Sequence, residues 1–184
     1  MKIKVLAFTG PAGCGKDTVV KKLSQLDNFN KIVRCTTRPP RQEEVQGQDY
    51  EFYNSVDDFT FDLLNGILIE GNIFRDWCYG TKFSALAADK INVGAFDPAA
   101  IACMQTDSRL SVDVCYLEVS DKTRLIRQLT REQDPDIDEI FRRFKADKED
   151  YFNLEEELGP YYTIYSNETP DDLNTILLDI GQKY

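Results

Sequence analysis

With 184 residues and a net charge of −10, the chain is long enough for one domain with an insertion and too acidic for non-specific nucleic-acid binding, which needs a broad basic surface. It contains no histidine, which excludes imidazole bases and histidine-containing metal sites. No run of about 18 apolar residues occurs and the start, MKIKVLAFTG, lacks a signal-peptide cleavage pattern, so we expect a cytoplasmic protein with no membrane partner.

Strands and helices alternate along most of the chain. KIKVLAFT (2–9) predicts a buried parallel strand, and apolar residues at helical spacing predict a helix over 17–26. KIVRCTT (31–37) predicts the second strand. Further strands are expected at 91–96, 112–119 and 161–166, and helices at about 98–106, 121–131, 137–158 and 171–182. The alternation indicates an α/β three-layer sandwich with a parallel central sheet covered on both faces.

The segment from about 36 to 89 departs from this alternation. It contains GQDYEFY (47–53), a helix that opens at Ser55 with Asp58 three residues on, and GILIEGNIF (66–74). Short strands and tight turns of this kind predict a small, partly antiparallel insertion. Insertions at the carboxyl ends of parallel strands usually face the ligand crevice, so we expect substrate recognition here.

GPAGCGKDT (10–18) nearly matches the phosphate-binding pattern GxxxxGK[ST], and it stands between a predicted strand and a predicted helix. Its glycines allow backbone N–H groups to surround phosphate oxygens, and Lys16 supplies charge for the β- and γ-phosphates. The predicted ATP-binding loop comprises Gly10, Pro11, Ala12, Gly13, Cys14, Gly15, Lys16, Asp17 and Thr18.

An aspartate replaces the hydroxyl residue that ends this pattern. Asp17 can coordinate the Mg²⁺ that accompanies ATP, act through a metal-bound water, or cap the helix. Thr18 can still donate its hydroxyl to an inner phosphate oxygen. Asp97 is a second candidate metal ligand, with a helix N-cap as the alternative.

Arginines cluster in the next part of this acidic chain. Arg34, Arg38 and Arg41 lie within eight residues, and Tyr50 follows. Guanidinium groups bind phosphate through two parallel hydrogen bonds, and a phenol adds a neutral donor. A solvated basic face is the alternative.

Two motifs in this region resemble those of the guanylate kinases. TTRPPR (36–41) matches the family's TTRxPR element, and EVQGQDYEF (44–52) resembles its GEVxGxDYxF continuation. The resemblance covers nearly the whole chain, and it implies that Glu70 reads guanine and that Thr81 contacts O6. It further implies that the acceptor's phosphate is bound by Arg38, Arg41, Tyr50 and Tyr79, the last in CYGT.

RLIRQLTREQDPDIDEIFRRF (124–144) resembles the family's lid over ATP. Arg131 and Arg143 match the family's positions best, whereas Arg127 and Arg142 either serve ATP or pair with surface carboxylates. Asn167 matches an asparagine that contacts adenine, with a turn residue as the alternative. The resemblance therefore implies that the charge of the transferred phosphoryl group is neutralised by Lys16, Arg38, Arg131 and Arg143.

The chain departs from the family at two positions: Arg34 replaces a serine that helps to read O6, and Ala95 replaces an aspartate.

We expect a kinase that uses ATP and Mg²⁺ to phosphorylate a nucleoside monophosphate, with GMP or dGMP as the first candidate. The rivals are a kinase for another or a modified deoxynucleotide, and a scaffold domain without catalysis. The predicted division is a core at 1–35 and 90–184 with a lid at about 127–145, and an acceptor-binding insertion at 36–89; the oligomeric state stays open.

The five cysteines are odd in number and form no CxxC pair, so reduced thiols are expected.

Overall fold

A computed structural model describes residues 2–40, 44–74, 77–131, 134–154, 158, 159 and 161–184. The described strands are β1 Ile3–Thr9, β2 Phe29–Lys31, β3 Arg34–Thr36, β4 Tyr50–Phe52, β5 Leu68–Phe74, β6 Trp77–Lys82, β7 Ile91–Ala95, β8 Leu110–Glu118 and β9 Tyr162–Ser166. The described α-helices are α1 Lys16–Leu23, α2 Val56–Leu64, α3 Pro98–Thr106, α4 Asp121–Thr130, α5 Ile137–Asp150 and α6 Pro170–Lys183. None of these helices is both long and apolar enough to cross a bilayer.

The large sheet has five parallel strands in the order β2-β7-β1-β8-β9. The central strand β1 is an unbroken apolar run because both of its faces are covered. Leu6 and Phe8 pack on one side with α1 and α6, whereas Val5 and Ala7 pack on the other with α3. The prediction of an α/β fold with a parallel central sheet is confirmed.

The prediction of a single strand over 31–37 is wrong. The first half of that run, β2, pairs with β7, and the Ile32 N–H still donates to the Val93 carbonyl at 2.9 Å. The second half, β3, instead pairs with β4 and β6 in a separate sheet. The chain passes from one sheet to the other near Val33, because each half finds its hydrogen-bond partners on a different set of strands.

The helix expected over 137–158 is shorter in the structure. It ends at Asp150, and Tyr151 takes a non-helical φ of −107° as its C-cap. The Tyr151 N–H closes the last turn by donating to the Asp147 carbonyl at 3.0 Å. This end frees the Tyr151 side chain to reach the loop after β1, as described below.

The small sheet has the order β4-β3-β6-β5, with β6 antiparallel to both β3 and β5. Helix α2 covers one face, where the ring of Phe59 packs with Cys35 and Cys78. Gly80 has no room for a side chain, since an added Cβ would lie 2.9 Å from that ring. Ser55 caps α2 by accepting a hydrogen bond from the Asp58 N–H at 3.0 Å, the capping that its spacing predicts. The opposite face of the sheet is left for the cleft.

All five cysteines are free thiols, as expected. Four are buried, and only Cys103 is exposed.

Candidate active site

A cleft of about 320 Å³ lies at the carboxyl ends of β1 and β7, opposite the open face of the small sheet. The loop after β1 contributes Gly10, Lys16 and Asp17 to its lining, and the small sheet contributes Arg34 and Tyr79. The loop after β1 and the small sheet therefore line one cavity. Ligand sites in open α/β sheets occupy this same position.

The loop over 10–15 has the backbone of a phosphate cradle. Gly13 and Gly15 have φ values of 82° and 97°, a region that residues with a Cβ rarely adopt. A Cβ on Gly13 would also lie 2.7 Å from the Arg124 carbonyl, and one on Gly15 would lie 2.6 Å from the Asn167 amide. Glycine is needed at both positions, for conformation and for space.

Lys16 opens α1, and its ammonium group lies over the loop, where it donates to the carbonyls of Gly10 and, at 3.3 Å, Pro11. Burial by itself lowers the pKa of Lys16, but the Cys14 thiol, Tyr151 and the carboxylates of Asp17 and Asp147 raise it above its ordinary value. Lys16 therefore keeps its positive charge inside the cleft.

Helix α5 contacts the loop through two side chains that sequence reasoning missed. The Ala12 N–H donates to the Asp147 carboxylate at 2.9 Å, and the Gly10 N–H donates to the Tyr151 hydroxyl at 3.3 Å. Arg124, which is buried, donates both to Asp147 at 2.9 Å and to the Ala12 carbonyl at 3.2 Å. Asp147 and the C-cap residue Tyr151 are four residues apart, the spacing of neighbours on one side of a helix, but this spacing does not say what they contact.

Arg127 and Asn167 brace the same loop. Arg127 donates to the carbonyls of Gly13 at 3.3 Å and Asn167 at 2.8 Å. Among the described residues, the hydrogen bonds of Arg127 thus go to backbone carbonyls and not to a surface carboxylate, the alternative partner that the sequence left open. The buried Asn167 amide donates to the Cys14 carbonyl at 2.8 Å.

Glu70 lies in the small sheet and is 1% exposed. Its Oε1 accepts hydrogen bonds from the Thr81 hydroxyl at 2.6 Å and from Arg34 Nη2 at 2.9 Å. Arg34 itself lines the cleft, with its guanidinium 5.0 Å from the centre of the Phe96 ring. Thr81 and Arg34, the residue that replaces the family's O6-reading serine, therefore both contact Glu70.

The predicted phosphate ligands of the acceptor lie beside this group. Arg38 donates to both oxygens of Glu44, at 2.8 and 2.9 Å, and lies 5.5 Å from the centre of the Tyr50 ring. Tyr50 and Tyr79 both line the cleft and meet edge to face at 6.1 Å. Arg41 lies outside the described residues.

The lid arginines divide into two groups. Arg142 and Arg143 line the cleft from α5, and both donate to Glu139, at 2.9 and 2.6 Å. For Arg142 this is the pairing with a carboxylate that was the alternative to a role on ATP. Arg131 is exposed at the C-cap of α4.

The two carboxylates that the sequence names as candidate magnesium ligands belong to the cleft. Asp17, which is exposed, and Asp97 both line the cleft. Asp97 also caps α3, because its Oδ1 accepts from the Ala100 N–H at 2.9 Å. In the part of the chain that the structure describes, no group of three or more potential ligand side chains could hold a metal. Mg²⁺ is commonly held by one or two carboxylates with phosphate oxygens and waters, so this pair suits a metal that arrives with its nucleotide.

Comparisons with known proteins agree with this arrangement. A family model described as guanylate kinase matches residues 2–183. The chain is 29% identical over 175 residues to a guanylate kinase of Chlamydia abortus, a match that covers 88% of this chain and 84% of that protein. It is 42% identical over 90 residues to that of Chlamydia felis, covering 48% of this chain and 43% of the relative.

A solved structure supports the fold. The crystal structure of guanylate kinase from Anaplasma phagocytophilum matches with a TM-score of 0.70 at 21% identity, covering 99% of this chain and 85% of that one. At this level of identity the match shows that the two chains share an α/β fold.

Proposed function

This chain belongs to the guanylate kinase family and is a transferase that phosphorylates GMP to GDP with ATP, and we propose that the two surfaces of the cleft divide the reaction between them. One observation carries the proposal: the phosphate loop and the open face of the small sheet line a single cavity. Direct transfer between two bound nucleotides requires such a shared cavity, because the attacking oxygen and the γ-phosphorus must approach in line.

On the ATP side, the loop backbone and Lys16 bind the phosphates. Asp17, with Asp97 as a second carboxylate, would hold the Mg²⁺ that accompanies ATP, and the bound ion would supply positive charge against the phosphates. Arg143 lies on the cleft-facing side of α5, from which it approaches the transferred group when Glu139 releases it. We propose the same role for Arg131, with Arg127 and Asn167 holding the loop in shape.

On the acceptor side, Arg38 binds the phosphate of GMP together with Tyr50 and Tyr79. Arg38 now donates two hydrogen bonds to Glu44, and the acceptor phosphate would replace that carboxylate as another anion that accepts two parallel hydrogen bonds from a guanidinium. Arg41 belongs to the same set. No covalent enzyme intermediate is required.

We propose that guanine is read by Glu70, Arg34 and Thr81. A carboxylate accepts from the N1–H and N2–H₂ groups of guanine, whereas adenine lacks both donors at those positions. Arg34, which lines the cleft, donates to O6. A buried polar group left unpaired costs about 1–3 kcal/mol, so two mismatches suppress AMP by roughly 10²–10⁴-fold.

The rival substrate class is another or a modified deoxynucleoside monophosphate. Arg34 favours it, because it occupies one oxygen of Glu70 that guanine would otherwise use. A coupled assay with ATP and each ribo- and deoxynucleoside monophosphate separates the two, and we expect GMP and dGMP to be the best acceptors. Inactivity on every acceptor would instead point to a scaffold domain.

Glu70→Gln tests guanine recognition directly. We expect kcat/KM for GMP to fall at least about 10-fold while the KM for ATP changes less than about two-fold, since the ATP surface lies across the cleft. Glu51→Gln is the matched control, because Glu51 belongs to the same sheet but pairs with Lys82. Unchanged GMP kinetics in Glu70→Gln, or a wild-type preference for a pyrimidine, would remove guanine from the proposal.

We further propose the division into a core (1–35 and 90–184, with the lid at about 127–145) and an acceptor-binding insertion (36–89), whose sheet begins two residues earlier, at Arg34. The small-molecule reaction and the charge of −10 support a cytoplasmic enzyme without a nucleic-acid partner.

A further inference from the structure

The open face of the small sheet carries two adjacent rows of side chains. Residues paired across strands lie on the same face, and the pairing Cys35↔Gly80 aligns β3 with β6. The registers Arg34↔Tyr50 and Glu70↔Thr81 therefore place these four side chains on one face. Asn72 follows Glu70 by two residues, on the same face of β5, and is paired with Tyr79. Asn72 therefore lies in the row next to Glu70, and it lines the cleft.

Three buried side-chain atoms among the described residues have no hydrogen-bond partner, and all three belong to this face. They are Arg34 Nε, Glu70 Oε2 and Asn72 Oδ1. Buried polar atoms are nearly always paired, because leaving them unpaired costs free energy. Their grouping beside a cleft indicates that a ligand completes their hydrogen bonds.

The unpaired atoms are one N–H donor and two oxygen acceptors. The Watson–Crick edge of guanine offers the complement, with one acceptor (O6) and two donors (N1–H and N2–H₂). Cytosine and thymine each offer two acceptors and one donor, and adenine offers one of each. Of the four bases, guanine alone satisfies all three atoms.

The occupancy of Glu70 explains why a further acceptor strengthens base recognition. Its Oε1 already accepts from Thr81 and Arg34, which leaves Oε2 as the acceptor for a base. Oε2 would have to divide its two lone pairs between N1–H and the exocyclic amine, so a second acceptor beside it gives the amine a partner of its own. The acceptor next along the strand is Asn72 Oδ1.

We propose that Asn72 is a specificity-determining residue whose Oδ1 accepts a hydrogen bond from the 2-amino group of GMP, while Glu70 Oε2 accepts from N1–H and Arg34 donates to O6. This inference rests on the proposed function, because it assigns a role in the binding of guanine. It makes the 2-amino group the feature that Asn72 senses.

Inosine monophosphate provides the test, because it keeps O6 and N1–H and lacks the 2-amino group. We expect Asn72→Ala to lower kcat/KM for GMP about 10-fold and to change kcat/KM for IMP less than about two-fold, so that the GMP/IMP ratio falls about 10-fold. Both substrates are measured on the same preparation, so the ratio does not depend on the folded fraction.

Two further variants separate recognition from structure. Asn72→Asp retains an acceptor oxygen in either orientation of the side chain, and we expect a GMP/IMP ratio close to that of the wild type. Ile73→Ala, on the neighbouring residue that is 76% exposed and points to the opposite face, should leave the ratio unchanged.

An unchanged GMP/IMP ratio of kcat/KM in Asn72→Ala, with or without an equal loss on both substrates, would overturn the role of Asn72. It would leave guanylate kinase activity in place. A wild-type protein that does not phosphorylate GMP would overturn the proposed function and this inference together.

Discussion

At the scale of single residues, the role proposed for Lys16 is to bring positive charge to the β- and γ-phosphates of ATP. Lys16→Met keeps most of the side-chain length and removes the charge, so we expect kcat to fall at least about 10²-fold with the fold intact. The coupled assay and the far-ultraviolet circular dichroism spectrum measure the two effects. Lys21→Met, on the exposed part of α1, is the control. Near-wild-type turnover in Lys16→Met would show that the loop is a structural turn and that Lys16 has no role in phosphoryl transfer.

Asp17 should act through the metal. Asp17→Asn weakens a carboxylate ligand, and we expect a higher Mg²⁺ concentration for half-maximal rate. Asp17→Ser supplies the hydroxyl that usually ends this loop, and it should restore part of the loss. Rates over a Mg²⁺ titration at saturating ATP measure both. An unchanged Mg²⁺ requirement in both variants would show that Asp17 does not act through the metal and serves only in the first turn of α1.

At the scale of elements, α4 and α5 are joined to the phosphate loop through the Arg124–Asp147 pair. Both side chains are largely buried, at 6% and 14% exposure. Asp147→Ala leaves the Arg124 charge buried without this partner and frees the Ala12 N–H, so we expect the free energy of unfolding to fall by about 3–5 kcal/mol in urea denaturation. Replacing both residues by apolar ones, in Arg124→Met/Asp147→Leu, should recover most of the loss.

An exposed pair on the same helix serves as the comparison. Arg142 is 45% exposed where it pairs with Glu139, so Arg142→Ala should cost less than about 1 kcal/mol. If Asp147→Ala costs no more than Arg142→Ala, the buried pair does not tie the two helices to the loop.

At the scale of the whole molecule, both sheets contain a buried thiol that resists ionisation. Burial raises the pKa of Cys35, in the small sheet, and of Cys115, in the large sheet, to about 12. Below the ordinary thiol pKa of about 9 the thiols are neutral in both states, and above it the unfolded chain ionises first. Stability should therefore fall from about pH 9 towards pH 12, by at most about 1.4 kcal/mol per pH unit for each thiol.

Urea denaturation between pH 8 and 11 measures this loss. We expect Cys35→Ala/Cys115→Ala to be less stable at pH 8 and to show a flatter dependence on pH than the wild type. Equal slopes in the two proteins would assign the alkaline loss to other groups.

Much of the large sheet follows from local sequence, and the small sheet does not. β1, β7 and α3 begin and end within a residue or two of their predicted limits, because continuous apolar runs and helix caps such as Asp97 are local signals. The run over 31–37 divides between two sheets, since hydrogen bonds to distant strands decide where each half pairs.

The sequence by itself determined the α/β class, the phosphate loop and the family, because strand alternation and the motifs GPAGCGKDT and TTRPPR depend on residues close together in the chain. Only the tertiary structure decided which side chains meet across the cleft. No spacing indicates that Asp147 accepts from the Ala12 N–H, or that the Oδ1 atom of Asn72 has no hydrogen-bond partner among the described residues. The first feature joins residues that are distant in the chain, and the second depends on which hydrogen bonds the neighbouring side chains already make. Both are determined only when the chain has folded.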